Sequence, residues 1–263
     1  MIPRKIHYCW LSNDPLPENL EQCLASWRRV LDDYEVVKWD AQRFDINSVQ
    51  FVREACAAQK WAFAADYIRL YALYEEGGVY LDADVYVRER FDSFLNHDFF
   101  SAVEYHSSIV KSQKTCTLLN VDGSRKNTTI AVPGIGIQAA FMGSIKGHPF
   151  VKKALDYYRE RSFVLADGTL ATTMIAPAVL ALCAEDFGFK YVNARQYVES
   201  NMLFLESKLI ASTMHCATRD AIAIHCCEGS WRDTTLLRSL GRSWLVRKLR
   251  GRLTFEDIVQ GNN

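Results

Sequence analysis

Apolar and polar positions along the N-terminal third of the chain switch between two periods. Lys5 to Leu11 is a short apolar run that predicts a strand. Pro17 to Val30 places Leu20, Cys23, Leu24 and Trp27 at helical spacing, Tyr34 to Trp39 predicts a second strand, and Val49 to Gln59 a second helix. Trp61 to Glu76 is rich in helix formers, free of Gly and Pro, and stopped by Gly77-Gly78, after which Val79-Tyr80-Leu81 predicts a buried strand. This βαβα order predicts an α/β fold with a mostly parallel central sheet, whose ligands gather at strand carboxyl ends. From Phe99 to Gly143 the pattern weakens into Ser, Thr, Lys and Gly, with an apolar return at Ile135 to Met142. Residues 151–165 predict an amphipathic helix and 172–187 another around Pro177.

Asp82-Ala83-Asp84 follows directly on the buried strand. Carboxylates at i and i+2 project to one side of an extended segment, and a hard divalent cation such as Mn²⁺ or Mg²⁺ is the partner that such oxygen ligands suit. An acidic turn in solvent is the common alternative for an Asp-x-Asp taken alone. Upstream, Asp66 and Arg69 are neighbours at i, i+3 on a helix face shared with Ala62, Ala65 and Ala72. An ordinary intrahelical ion pair is the plain reading, and the small residues around it leave room for a ligand. Glu75 and Glu76 lie at the unfavourable, negative end of that helix.

The 263 residues carry 49% hydrophobic and 12% aromatic side chains, enough for one large core. Lys+Arg and Asp+Glu balance at 31 each, so no global field points to nucleic acid. Eight scattered cysteines without a Cys-x-x-Cys, after an N-terminus with no apolar signal segment, predict reduced thiols and a cytoplasmic location. A zinc site from His215, Cys216, His225, Cys226 and Cys227 is disfavoured, because a strand at Ala221 to Ile224 throws His225 and Cys226 to opposite faces. The tail from Leu236 to Leu253 is basic and predicts an amphipathic segment that either docks on an anionic membrane surface or packs on the domain.

Ala65-Asp66-x-x-Arg69 followed by Gly77-Gly78-x-Tyr80-x-Asp82-x-Asp84 resembles the signature of glycosyltransferase family 32, the DXD-containing group of bacterial capsule and polysaccharide transferases, yeast-type α-mannosyltransferases and clostridial glucosylating toxins. Ile2 to Trp10, Ser26-Trp27, Tyr34 to Asp40, Gly147-His148-Pro149-Phe150 and His225-x-x-x-Gly229-Ser230-Trp231 are similar as well, so the likeness spans about residues 1–235 and leaves 236–263 as a tail. It implies a GT-A fold and a metal-dependent, retaining transfer of a hexose or N-acetylhexosamine from a nucleotide-diphosphate sugar. UDP is the favoured base carrier and GDP the other choice; the acceptor is a glycan or lipid-linked oligosaccharide of a surface polysaccharide. The resemblance assigns metal contacts to Asp84, Asp82 and His225, sugar contacts to Asp66 and Arg69, and donor contacts to Tyr80, Gly229, Ser230 and Trp231. Trp10 either stacks on the nucleobase or belongs to the core, and a lone histidine such as His225 is more often structural. The chain departs from the family at Ala176-Pro177, where relatives carry Gly-Pro, and around Gln138, the amide nearest to an expected asparagine. A sugar nucleotidyltransferase and a non-catalytic carbohydrate-binding protein are the competing classes. The first is expected to carry a Gly-rich phosphate loop, absent from Trp10 to Asp14, and the second has no need of the carboxylate pair.

Overall fold

The computed structural model describes residues 1–12, 14–128 and 130–226, and its N-terminal order follows the hydrophobic pattern: β1 (Lys5–Cys9), α1 (Glu18–Val30), β2 (Glu35–Trp39), α2 (Gln50–Ala57), α3 (Trp61–Glu76) and β3 (Gly78–Leu81). Then come β4 (Val85–Val87), β5 (Phe99–Tyr105), α4 (Ser107–Ser112), β6 (Ile135–Ile137), β7 (Phe141–Ser144), α5 (Pro149–Arg159) and α6 (Ala176–Ala184). The described part closes with β8 (Gln196–Val198), β9 (Met202–Leu205), β10 (Ile210–Ala211) and β11 (Ala223–His225). The main sheet runs β2-β1-β3-β7-β5-β9-β8, with β6 paired to β5, and a second small sheet is ordered β10-β11-β4. Parallel pairing joins β2, β1 and β3 and again β5 and β9, as a βαβ order requires. β7 enters antiparallel between β3 and β5, so the sheet is mixed, with its parallel strands predominating.

Two cores form on the two faces of this sheet. On one face α2, α3, α5 and α6 bury Phe51, Tyr67, Phe150, Phe163 and their neighbours; on the other, α1 and the small sheet bury Trp27, Val85, Phe91 and Phe141. The turn from α3 into β3 depends on glycine. Gly77 and Gly78 have φ of 67° and 113°, and a Cβ on Gly78 would stand 2.7 Å from the Lys5 carbonyl of the neighbouring strand. Glu76, unfavourable for the helix dipole, lies between Lys5 Nζ at 2.9 Å and Arg43 Nη2 at 2.6 Å.

The fold differs from the sequence expectation in three places. The helix expected over 151–165 ends at Arg159, because the Phe163 and Val164 amides leave the helical ladder to donate to Glu54 Oε2 at 2.8 and 2.9 Å. The helix expected over 172–187 starts at Ala176, with Pro177 in its first turn, where a missing N–H costs nothing. The poorly patterned 99–143 segment supplies β5, with Phe99 and Phe100 both fully buried, at the centre of the sheet.

Candidate active site

Asp82 and Asp84 leave β3 at its carboxyl end, as the pattern predicts. The Asp82 amide donates to the Ala140 carbonyl at 3.0 Å, which ties this edge to the residues preceding β7. Asp84 is fixed through the strand that follows it. Trp27 Nε1 donates to the Val85 carbonyl at 2.7 Å, and the Val87 amide donates to Ser26 Oγ at 2.9 Å, itself bonded to the Cys23 carbonyl. The Ser26-Trp27 pair of α1 is thus a buried clamp on β4. β11 pairs antiparallel with β4, His225 opposite Val85, and the Cys226 amide donates to the Asp84 carbonyl at 2.8 Å.

This register carries the imidazole to the carboxylates. His225 Nε2 lies 3.3 Å from Asp84 Oδ1 and 4.0 Å from Asp82 Oδ2, and one ligand atom from each of the three residues falls within 4.8 Å of the others. Two carboxylate oxygens and an imidazole nitrogen, each partly exposed, are a donor set that fits Mn²⁺ or Mg²⁺, with room for water and phosphate oxygens. Among the described residues these three are the group of metal-ligating side chains so placed, and Cys226, which the zinc reading would need, is buried on the other side of its strand.

Beneath the carboxylates lies a buried charge cluster. Arg69 is 5% exposed and donates Nη1 to the Ala139 carbonyl at 2.9 Å; its Nη2 meets Asp66 Oδ1 at 3.0 Å and Asp82 Oδ1 at 3.4 Å. Its guanidinium lies over the Tyr80 ring, 4.9 Å from the centroid, and the Tyr80 hydroxyl donates to Asp82 Oδ1 at 2.9 Å. Tyr80 is 1% exposed, so its placement is that of a support for Asp82 and Arg69. Burial opposes the Arg69 cation, and the charge of Asp82, then Tyr80 and Asp66, more than offsets this. Burial pushes the Asp66 carboxyl up to about 7 against the pull of Arg69, and it holds the Tyr80 hydroxyl and the Cys9 thiol well above their usual ranges.

The Asp66 shift has a defined sign. A carboxyl whose folded value exceeds its unfolded one of about 3.9 favours the folded state most below that value, and the advantage is lost as pH climbs toward 7. Asp66→Asn should therefore stand closest to the wild type near pH 4 and melt progressively further above it toward pH 8. A gap between the two melting curves that stays constant with pH would refute the assignment.

Trp10 stands at the same rim, since the β1–β3 register pairs His7 with Tyr80 and, carried on, brings Trp10 beside Ala83. It is half-buried against the α1-side core, and its indole N–H donates to the Asp14 carbonyl at 2.8 Å. His7, three positions earlier on the other face from Tyr8, is structural: it accepts from Trp39 Nε1 at 3.0 Å and bonds the Gly77 carbonyl at 2.8 Å. Gln138 is fully buried, accepting from the Ala140 amide through Oε1, so it faces no opening. A cavity of about 550 Å³ lined by Arg43, Tyr67, Tyr71 and Arg159 belongs to the opposite side of α3 from Asp66 and Arg69. Gly229, Ser230, Trp231 and the basic tail lie outside the described residues. The carbonyls of Ala139 and Ala140, which hold Arg69 and Asp82, are backbone contributions that no side-chain motif announces.

Residues 17–101, which span the α1 clamp, Asp66, Arg69 and both carboxylates, match the family described as "Glycosyltransferase sugar-binding region containing DXD motif". With the parallel β2-β1-β3 unit and a carboxylate pair at the end of β3, the chain carries a DXD glycosyltransferase region on an α/β fold with a mixed, largely parallel sheet. The protein is a glycosyltransferase. Similar solved structures include the PaToxG glycosyltransferase, 16% identical over 70% of this chain and 69% of that one with a TM-score of 0.45. The galactosyltransferase LgtC, solved with donor and acceptor sugar analogs, is 13% identical over 95% and 96% with a TM-score of 0.44. Mouse xyloside xylosyltransferase 1 is 10% identical over 86% and 98% with a TM-score of 0.47. Among curated proteins none matches the sequence.

Proposed function

We propose that this enzyme transfers a hexose or N-acetylhexosamine, with retention, from a UDP-sugar to a glycan or lipid-linked oligosaccharide of a surface polysaccharide, a GDP-sugar being the second choice of donor. The observation that carries the reading is the convergence of Asp82, Asp84 and His225 above the buried Asp66–Arg69 pair. Asp84, Asp82 and His225 would hold Mn²⁺ or Mg²⁺, which when bound offsets the charge that develops on a diphosphate leaving group. Asp66 and Arg69 bind the sugar: the carboxyl accepts from its hydroxyls and the guanidinium donates toward the diphosphate. Burial beneath the rim keeps both in one geometry and excludes water, so their contacts strengthen in a low dielectric. Tyr80 orients Asp82 through its hydroxyl. No carboxylate is assigned as nucleophile; the acceptor attacks on the face from which the phosphate departs. Gly229, Ser230 and Trp231 are proposed to complete the donor site, and the basic tail to hold the enzyme against an anionic leaflet on the cytoplasmic side.

The direct test is a screen of UDP- and GDP-sugars for metal-dependent hydrolysis. Release of nucleotide from one donor, abolished by chelator, is expected; full turnover in excess chelator sinks the metal assignment. Trp10 is proposed as the platform for the base, so Trp10→Ala should raise the donor KM about tenfold, as the loss of one stacked base does, with little change in melting temperature. An unchanged KM together with a stability loss of about 3–5 kcal/mol would place Trp10 in the core instead.

A further inference from the structure

Outside the carboxylate–histidine cluster, the rim of the sheet carries a second polar pair that neither the motif nor the donor chemistry uses. Glu104, near the end of β5, accepts from or donates to His106 Nε2 through Oε1 at 2.8 Å, depending on where the proton sits; their side chains are 13% and 31% exposed. In the ordinary arrangement the imidazole N–H donates to the carboxylate, which fixes the orientation of the ring.

The backbone ties this pair to the site. β5 runs past the end of β7 and pairs there with β6, Glu104 opposite Gly136, and the His106 amide donates to the Gly134 carbonyl at 2.8 Å. The same stretch continues through Gln138, whose amide bonds the Ala102 carbonyl, to Ala139 and Ala140, the acceptors for Arg69 and Asp82. One residue along the strands and two strand spacings separate Asp82 from Glu104, on the order of 10 Å between backbones. The faces agree as well. Phe100 and Ala102 pack in the core that holds Leu81, Ala83, Val85 and Ala223, and strand alternation puts Glu104 on that side, toward β4 and β11 and hence toward Asp84 and His225. A partly buried carboxylate at the end of a strand of Phe, Ala and Val is poorly explained by packing alone.

We infer that Glu104 and His106 form the acceptor subsite, hydrogen-bonding a hydroxyl of the incoming sugar and holding it at the rim on the side of Asp84 and His225, from which the phosphate departs. The inference rests on the glycosyltransferase reading and adds to it the side from which the acceptor enters. It names as ligand a hydroxyl-rich sugar ring, recognised by a carboxylate and an imidazole.

The test measures how donor sugar divides between water and sugar. The full-length protein is supplied with the donor found by hydrolysis and with aryl hexosides as acceptors; free sugar and disaccharide are counted by mass spectrometry. In Glu104→Gln and in His106→Ala the ratio of transfer to hydrolysis should fall about 10- to 100-fold, the effect of losing a hydrogen bond to a charged group, with the acceptor KM raised and the donor KM held. His106→Gln, which keeps a hydrogen-bonding edge, should recover part of the ratio. Melting curves verify that each variant is folded. A ratio that stays at the wild-type value in both variants overturns the inference, as does hydrolysis falling in parallel with transfer. A wild-type protein that hydrolyses donor but transfers to none of the hexosides overturns it too. Absence of any donor turnover fails the underlying reading instead.

Discussion

Asp84→Asn should lower sugar transfer by about 10²–10³ or more, the cost of removing a group that stabilises transition-state charge, and leave the melting temperature at or slightly above that of the wild type. The reasoning is electrostatic. Asp84 shares its rim with Asp82, and His225 is 3.3 Å away, so neutralising one carboxylate relieves repulsion in the metal-free protein while removing an anionic ligand from the loaded one. The backbone around it is held by the Trp27 and Ser26 contacts to β4, which the substitution does not touch. Nucleotide-release assays with Mn²⁺, paired with melting curves, check both halves. Retained transfer in the variant would remove Asp84 from the site, and a large drop in melting temperature would make its role structural.

Arg69→Ala has the larger effect on the fold. The guanidinium is 5% exposed and contacts Asp66, Asp82 and the carbonyls of Ala65 and Ala139, so its loss removes a donor that all four share and leaves Asp82 the Tyr80 hydroxyl as its side-chain donor among the described residues. Breaking a buried pair by removing one partner costs about 3–5 kcal/mol. Asp66 softens this by taking up a proton, which its raised value of about 7 already favours. Arg69→Lys should restore part of the stability, because a cation returns, and little of the donor turnover, because a point charge cannot span Asp66 and the Ala139 carbonyl as the planar fork does. Melting curves and donor hydrolysis for both variants decide it. An Arg69→Ala protein within a degree or two of the wild type contradicts the cluster, and full turnover in Arg69→Lys contradicts the fork.

Much of this site was legible before any coordinates. α3 has the limits that its helix formers and the double glycine predict, and β3 delivers the carboxylate pair where a buried run ends in charge. The local pattern could not give pairing order. β7 is antiparallel between β3 and β5, and nothing in the order of elements distinguishes that from a continued parallel sheet; strand choice is settled by long-range packing. Helix ends were misjudged where a distant side chain intervenes, as Glu54 does at Phe163. Ser26 and Trp27 were visible as a motif, while their task, bonding β4, is a contact across most of the N-terminal third of the chain. His225 could be placed only through the resemblance, since the strand that carries it, β11, is three residues long.

That short strand gives assembly of the enzyme a direction in time. The carboxylates, the arginine and the clamp on β4 all belong to the first part of the chain to emerge during synthesis, whereas the imidazole comes near the end of the described sequence and reaches them only by pairing with β4. If His225 completes the metal site as proposed, a chain that ends before β11 lacks one ligand of three, and its nucleotide release should fall with it.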